Sequence, residues 1–111
     1  MPWTTLCDLD ELVEDRGLYV DVSGWQLAVF LHDGRPYVME NTCPHAGGSL
    51  SGGHVEVMGG APCAVCPVHG WPFRLEDGEY YDMPGFEAKV FPARLLEHEG
   101  RKLVQADLPM P

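Results

Sequence analysis

The sequence predicts an all-β fold, an antiparallel β-sandwich formed by a single domain over residues 1–111. Short apolar segments alternate with Gly-containing turn signals near both ends of the chain, as in strands joined by hairpins. Between these two groups, residues 41–85 hold most of the thirteen glycines and several of the ten prolines. We therefore expect a base of paired strands with an inserted lobe that is built from two Gly/Pro-rich loops.

The first strands are expected at residues 18–22, 25–31 and 36–39. A Ser-Gly pair separates the first two segments and an Asp-Gly pair separates the last two, which favours two-residue hairpin turns. The middle segment is an almost continuous run of apolar β-formers, too short for a helix, and we expect it to be buried. Residues 8–15 have apolar side chains at helical spacing, which favours a short helix or turn before a glycine ends it.

The inserted segment, residues 41–85, is expected to be loop-rich. Its many glycines and prolines raise the entropy cost of holding one conformation, so we expect a bound metal centre to help to order it. Two further strands are expected at residues 88–96 and 102–106, joined through a polar turn. The sequence therefore places the metal chemistry in the lobe.

The chain is strongly acidic, with seventeen Asp and Glu residues against seven Lys and Arg and a formal net charge of -10. This charge argues against binding to nucleic acid or to anionic lipid, because both are negatively charged. It suits either docking to a basic partner or simple solubility, and the charge alone does not decide between them. No apolar run approaches the ~20 residues that span a bilayer, and the N-terminus lacks the pattern of a secretion signal, so we expect a soluble cytoplasmic protein.

Two pairs of potential metal ligands lie in the inserted segment. Cys43 is followed two positions later by His45, and Cys66 is followed three positions later by His69. Together the two thiolates and two imidazoles fit a [2Fe-2S] centre in which one iron takes two Cys and the other takes two His. A tetrahedral zinc ion accepts the same set and stays an alternative, as does the reading that they are ordinary buried cysteines and surface histidines.

The sequences CPHAGG at residues 43–48 and CPVHGWPF at residues 66–73 resemble the two boxes of the Rieske [2Fe-2S] domain family. The resemblance extends over nearly the whole chain, from the strands before the first box to the closing strands. It implies a Rieske-type fold that carries one [2Fe-2S] cluster per chain. The ligands that the resemblance implies are Cys43, His45, Cys66 and His69.

Glycines follow both predicted ligand histidines, at Gly47, Gly48 and Gly70. We expect them to let the backbone approach the cluster and to leave amide donors free for its sulfurs. Family members from respiratory and photosynthetic cytochrome complexes have a disulfide between the boxes, where this chain has Gly48 and Val68, and tend to have a serine where it has Trp71. Fewer hydrogen bonds to the sulfurs imply a potential near the low end of the Rieske range of about -150 to +300 mV.

Other residues of interest lie near the boxes. Cys63 and Cys66 form a CAVC motif, which on its own suggests a redox disulfide, but a proline after the motif blocks the usual helix, so we expect Cys63 to be a small buried residue. Cys7 is expected to be a structural or free thiol. His54 is expected on the surface at the start of a strand, with a supporting role near the ligands as the alternative. The spacing between the boxes is slightly long for the family, and we assign the extra length to residues 58–62.

The resemblance implies a one-electron carrier between a flavin-containing reductase and a terminal oxygenase, such as a ring-hydroxylating dioxygenase. The alternative is the small subunit of an assimilatory NAD(P)H nitrite reductase, with that enzyme's large subunit as partner. A third hypothesis, of another class, is a zinc-binding interaction module. In the carrier hypothesis the chain transforms no substrate by itself, and Glu76, Asp77 and Glu79 are expected to steer the partner towards the rim around the two histidines.

Overall fold

The computed structural model describes residues 3–44, 47–68, 70–82 and 85–109. This part of the chain contains two short 3-10 turns, Leu9–Glu11 and Leu50–Gly52. Within the described residues, no helix is long and apolar enough to cross a membrane. The strands are β1 Trp3–Asp8, β2 Gly17–Val22, β3 Trp25–His32, β4 Arg35–Glu40, β5 His54–Met58, β6 Ala61–Val65, β7 Pro72–Arg74, β8 Val90–Phe91, β9 Ala93–His98 and β10 Arg101–Asp107.

These strands pair into three antiparallel sheets. The first has the order β1-β10-β9 and the second the order β2-β3-β4-β8, and these two sheets form the base. The third, β5-β6-β7, forms the inserted lobe. The prediction of an all-β fold with a lobe between the strands of a base is confirmed.

Two-residue turns join β2 to β3, β3 to β4, β5 to β6 and β9 to β10. Both residues of every turn have positive φ, the conformation of a type I′ turn, whose twist matches that of the flanking strands. The turns are Ser23-Gly24, Asp33-Gly34, Gly59-Gly60 and Glu99-Gly100. The extra length between the two boxes, assigned to residues 58–62, is therefore the tip of a regular hairpin.

β3 is buried on both faces. Leu27 and Val29 lie in the core between the two base sheets, whereas Ala28 and Phe30 lie in a second core beneath the lobe. All four residues have a relative exposure of 0%. Because successive side chains of a strand point to opposite faces, a strand covered on both faces needs an unbroken apolar run. The run that predicted this strand therefore also explains how one strand supports both the base and the lobe.

The structure corrects several expectations about the elements. Residues 41–85 are more than loops, because β5, β6 and β7 lie within them. Within residues 8–15 the expected short helix or turn is the 3-10 turn Leu9–Glu11, but β1 before it was not predicted. The strand expected at 88–96 divides at Pro92, which has no amide hydrogen for a ladder, so that β8 pairs with β4 and β9 pairs with β10.

Candidate metal centre

The first predicted ligand loop lies just after β4. The amide of Cys43 donates a hydrogen bond to the carbonyl of Gly48 at 2.7 Å, and the amide of Gly47 donates to the carbonyl of Cys43 at 2.9 Å. Gly47 has a φ of +71°, in the left-handed region that glycine enters without strain. Two hydrogen bonds and one left-handed residue therefore close the loop around its cysteine.

The second predicted ligand loop, between β6 and β7, repeats this pattern. The amide of Cys66 donates to the carbonyl of Trp71 at 2.9 Å, and the amide of Gly70 donates to the carbonyl of Cys66 at 2.8 Å. Gly70 has a φ of +72°. In both loops the cysteine amide reaches the fifth residue after it and the cysteine carbonyl accepts from the fourth. The two loops therefore share a hydrogen-bond pattern, although their Cys-to-His spacings differ.

The glycines that follow the histidines have a different role from the one expected. The amides of Gly47 and Gly70 donate to cysteine carbonyls, so the expectation that they stay free for cluster sulfurs is wrong. Their left-handed conformation turns the chain back on itself within each loop. Gly47 and Gly70 therefore determine how the backbone of each loop turns.

Both cysteines point into the protein interior. Cys43 and Cys66 are each 1% exposed and belong to the same buried cluster, which also contains Phe30 and Leu50. The residue that follows each cysteine is an exposed proline. The chain therefore leaves the interior immediately after each cysteine, which gives each loop a buried thiol side and a solvent side.

The two loops touch at Gly48. A Cβ atom added there would lie 2.4 Å from Cγ2 of Val68 and 3.2 Å from Sγ of Cys66. Only glycine fits this position without movement of its neighbours, because real Cβ atoms do not approach other carbon atoms so closely. Gly48 and Val68, which occupy the places of the inter-box cysteines of other family members, are therefore neighbours across the two loops.

The residues described here fit the predicted [2Fe-2S] cluster. Cys43 and Cys66 come from two matching loops into one buried cluster, as required for two thiolates that bind the same iron. The predicted ligands His45 and His69 lie outside the described residues. The donor set of thiolate and imidazole is the one that distinguishes a Rieske centre from a cluster with four cysteines.

Asn41 anchors the first loop, and sequence reasoning did not single it out. It is 7% exposed, and its amide donates to the carbonyl of Gln26 in β3 at 2.9 Å. Its own carbonyl accepts from the amide of Leu50 at 2.7 Å, and its side-chain Oδ1 accepts from the amide of Ser51 at 2.8 Å. A buried asparagine with these bonds ties both ends of the loop to the base. The one sequence signal was a polar residue directly after an apolar strand.

A group of four aromatic rings lies beside the second loop. Trp71 stacks on Tyr80 with ring centres 4.3 Å apart and an interplanar angle of 10°. Phe86 packs edge-on against Trp71 at 5.2 Å, and Phe73 contacts Tyr80 at 5.7 Å. Phe73 is 0% exposed and packs in the buried cluster that contains Cys43 and Cys66. Trp71 therefore joins the second loop to an aromatic surface.

The remaining cysteines and histidines lie outside the two loops. Cys63 is buried in β6, as expected, and burial raises the pKa of its thiol. Burial also raises the pKa of Cys7 to about 11, so both thiols stay protonated and unreactive near neutral pH. His54 begins β5 and is exposed. His32 is half-buried, with its Nδ1 2.7 Å from Oδ1 of Asp15.

Comparison with known families gives one match that covers most of the chain. The model of the Rieske [2Fe-2S] domain matches residues 2–96. The match includes both loops and all the strands of the lobe.

Individual relatives differ in length. The chain is 32% identical over 116 residues to the cholesterol 7-desaturase nvd of Hemicentrotus pulcherrimus, covering 96% of this chain but only 24% of that relative. It is 26% identical over 109 residues to the ferredoxin component of the alkene monooxygenase system of Xanthobacter autotrophicus, covering 98% of this chain and 84% of the relative. A solved structure described as the small subunit of an NADH-dependent nitrite reductase from Mycobacterium tuberculosis superposes with a TM-score of 0.86 and 32% identity, over 97% of this chain and 96% of that chain.

Proposed function

Because the chain belongs to the Rieske [2Fe-2S] domain family, we propose that it is a one-electron carrier. Its cluster is of the Rieske type, as the family and the ferredoxin relatives imply. The observation that carries the proposal is the pair of matching loops, each closed around a buried cysteine and meeting at Gly48. The ligands that we propose are Cys43, His45, Cys66 and His69.

The cluster, when bound, supplies a one-electron redox couple, and the residues around it hold it and shield it from water. The thiolates of Cys43 and Cys66 would hold one iron from the side of the buried cluster that also contains Phe30 and Leu50. The imidazoles of His45 and His69 would hold the other iron and would provide the route by which electrons enter and leave. The chain binds and insulates the cluster but transforms no substrate.

We expect a low potential for this carrier. Trp71 stands where the cytochrome-complex type has a serine hydroxyl, and the amides of Gly47 and Gly70 are used within the loops. Each missing donor removes a hydrogen bond that would stabilise the more negative, reduced state. A low potential suits a carrier that receives electrons from a flavin-containing reductase and delivers them to a terminal oxygenase, such as a ring-hydroxylating dioxygenase, in the cytoplasm. The similarity to the alkene monooxygenase ferredoxin component, over most of both chains, supports this assignment.

A second function is favoured by one specific observation. The superposition on the nitrite reductase small subunit, with a TM-score of 0.86 at 32% identity, covers nearly all of both chains. On this alternative the chain would form a stable stoichiometric complex with a nitrite reductase large subunit. A carrier would be reduced reversibly by a flavoprotein without forming a stable complex, and size-exclusion chromatography of the mixtures separates the two functions.

The cluster itself is tested by spectroscopy on anaerobically purified protein. We expect two irons and two acid-labile sulfides per chain, and, after dithionite reduction, the electron paramagnetic resonance signal of low average g that marks histidine-ligated [2Fe-2S] clusters. The variant Cys43→Ser should lose both irons. Cys63→Ser is the matched control, because Cys63 is a buried cysteine of the same lobe that we do not assign as a ligand. Colourless protein that binds zinc and stays iron-free after reconstitution would overturn the carrier in favour of a zinc-binding module.

A further inference from the structure

The two ligand loops have very different electrostatic surroundings. Residues 41–53, around the first loop, contain no Asp, Glu, Lys or Arg. Residues 74–87, which follow the second loop, contain five acidic residues and a single basic one, Arg74. The acidic charge near the metal centre is therefore concentrated on the side of the second loop.

Most of this acidic charge is not neutralised within the protein. Arg74 pairs with Asp77 at 2.9 Å, so the one local cation is already used. Among the described residues, no Lys, Arg or His lies within ion-pair distance of Glu79, Asp82 or Glu87. Asp77, which the sequence favoured as a steering residue, is therefore neutralised, whereas Glu76 and Glu79, favoured with it, have no ion-pair partner among the described residues.

Two of these carboxylates face each other. Glu79 and Glu87 are partners in an antiparallel β-bridge, and both are exposed. Like charges directly opposite each other on neighbouring strands destabilise a sheet. A local arrangement that lowers stability without internal compensation is expected at functional surfaces. A cation supplied from outside the chain would relieve the repulsion.

Exposed aromatic side chains lie within the same segment. Tyr81 is 39% exposed and Phe86 is 37% exposed. Phe86 packs against Trp71, whose carbonyl accepts the hydrogen bond that closes the Cys66 loop. Phe86 and the carboxylates of Glu79 and Glu87 lie on opposite sides of the bridge, because successive side chains of an extended segment alternate, whereas Tyr81 lies on the side of the carboxylates. The amide of Tyr81 donates to the carbonyl of Pro72, the residue after Trp71, at 3.0 Å, which ties this side to the second ligand loop. We call the surface that consists of Glu79, Tyr81 and Glu87 the acidic aromatic face.

We propose that the acidic aromatic face is the docking surface for a redox partner that presents Lys or Arg side chains around an apolar contact. The inference rests on the proposed function as an electron carrier and adds to it which side of the centre is used and the chemistry of the partner. Exposed carboxylates increase the rate of encounter with a basic surface, while an apolar centre gives a short-lived contact of small area. The uncharged surroundings of the first loop offer a basic partner no such attraction.

The test measures electron transfer to a basic protein. Reduced holoprotein is mixed in a stopped-flow instrument with cytochrome c, a small basic electron acceptor, at increasing ionic strength. For E79Q/E87Q we expect the second-order rate constant at low ionic strength to fall about tenfold, and its salt dependence to flatten. The control E97Q/E99Q makes the same change in net charge in the β9–β10 hairpin of the base, and its rate constant should fall less than about twofold.

A second variant tests the apolar contact. Tyr81→Ser leaves the charges in place, so we expect a lower rate constant with an unchanged salt dependence, and an unchanged electron paramagnetic resonance signal shows that the cluster is intact. Equal effects of E79Q/E87Q and E97Q/E99Q, or no effect of either, would overturn the acidic aromatic face as the docking surface. Ferricyanide, a small anionic oxidant, separates this failure from failure of the proposed function. A chain that docks elsewhere is still oxidised by ferricyanide, whereas a chain without a redox-active cluster is not.

Discussion

The base and the lobe of this molecule are held in different ways. The base consists of two sheets joined by short hairpins, with a continuous apolar core between them. The lobe has three short strands, and its two ligand loops are fixed by a few hydrogen bonds around two buried cysteines. We therefore expect the base to fold on local turns and apolar burial, and the lobe to depend on a bound metal centre for much of its order.

The base therefore serves mainly as the stable support, and the lobe carries the residues proposed for function. The base supplies Asn41 and one face of β3 as the support on which the lobe rests. The lobe presents the ligands and the acidic aromatic face. Regions that open locally are commonly those that bind partners. The predictions below test how independent the two regions are.

The largest effect is expected when the metal site is removed. In the variant C43A/C66A, we expect amide protection in residues 47–53 and 66–71 to fall by at least about 100-fold in hydrogen exchange, because the loops lose the ligand that orders them. Amides of the β2–β3 and β3–β4 hairpins should change by less than about threefold. Equal loss of protection in both regions would show that the base depends on the cluster, and unchanged protection in the loops would show that the lobe is ordered without it.

The two faces of β3 provide a second test of the difference between the base and the lobe. Phe30 and Leu27 are both fully buried, in the core beneath the lobe and in the base core respectively. Replacing either by alanine should reduce the free energy of unfolding by about 2–5 kcal/mol. We expect only Phe30→Ala to accelerate the loss of iron to a chelator, because of the two residues only Phe30 belongs to the buried cluster that contains Cys43 and Cys66. Equal rates of iron loss in the two variants would contradict the division into two cores.

A smaller effect is expected at the contact between the loops. Gly48→Ala places a methyl group 2.4 Å from Cγ2 of Val68 and 3.2 Å from Sγ of Cys66. Overpacking of this kind costs about 1–3 kcal/mol, so the midpoint of thermal unfolding should fall and the cluster should be lost faster. Val68→Ala alone should have little effect, because Val68 is 51% exposed. The double variant G48A/V68A should recover most of the loss, and strictly additive effects would mean that the side chain of Val68 is not the obstacle.

Sequence reasoning succeeded where the signals are local. The Ser23-Gly24 and Asp33-Gly34 pairs predicted hairpins that the structure confirms, because left-handed turns need these residue types. Cys43 and Cys66 were found by spacing and lie in one buried cluster. The assignment of His45 and His69 remains a prediction.

The features that sequence reasoning missed depend on context. β6 contains Pro62 and follows two glycines, so its strand character was hidden by residues that usually break strands. The role of Asn41 depends on partners in two other segments, β3 and the turn Leu50–Gly52. The opposition of Glu79 and Glu87 follows from the register of an isolated bridge, which no periodicity in the sequence reveals. Tertiary contacts of this kind become visible only in the folded chain.

The smallest effect concerns a thiol of the base. Burial raises the pKa of Cys7 from its ordinary value of 9.0 to about 11, so folding favours the neutral thiol. The stability that this contributes is fully present below pH 9 and is lost as the pH rises towards 11; at pH 10 the loss amounts to about 1.4 kcal/mol. Urea unfolding of C43A/C66A at pH 8 and pH 10, with and without Cys7→Ala, measures it in the base without the cluster. The fall in stability between the two pH values should be smaller by about this amount when Cys7 is replaced. An equal fall in both proteins would mean that Cys7 titrates normally and that the base core around it admits water.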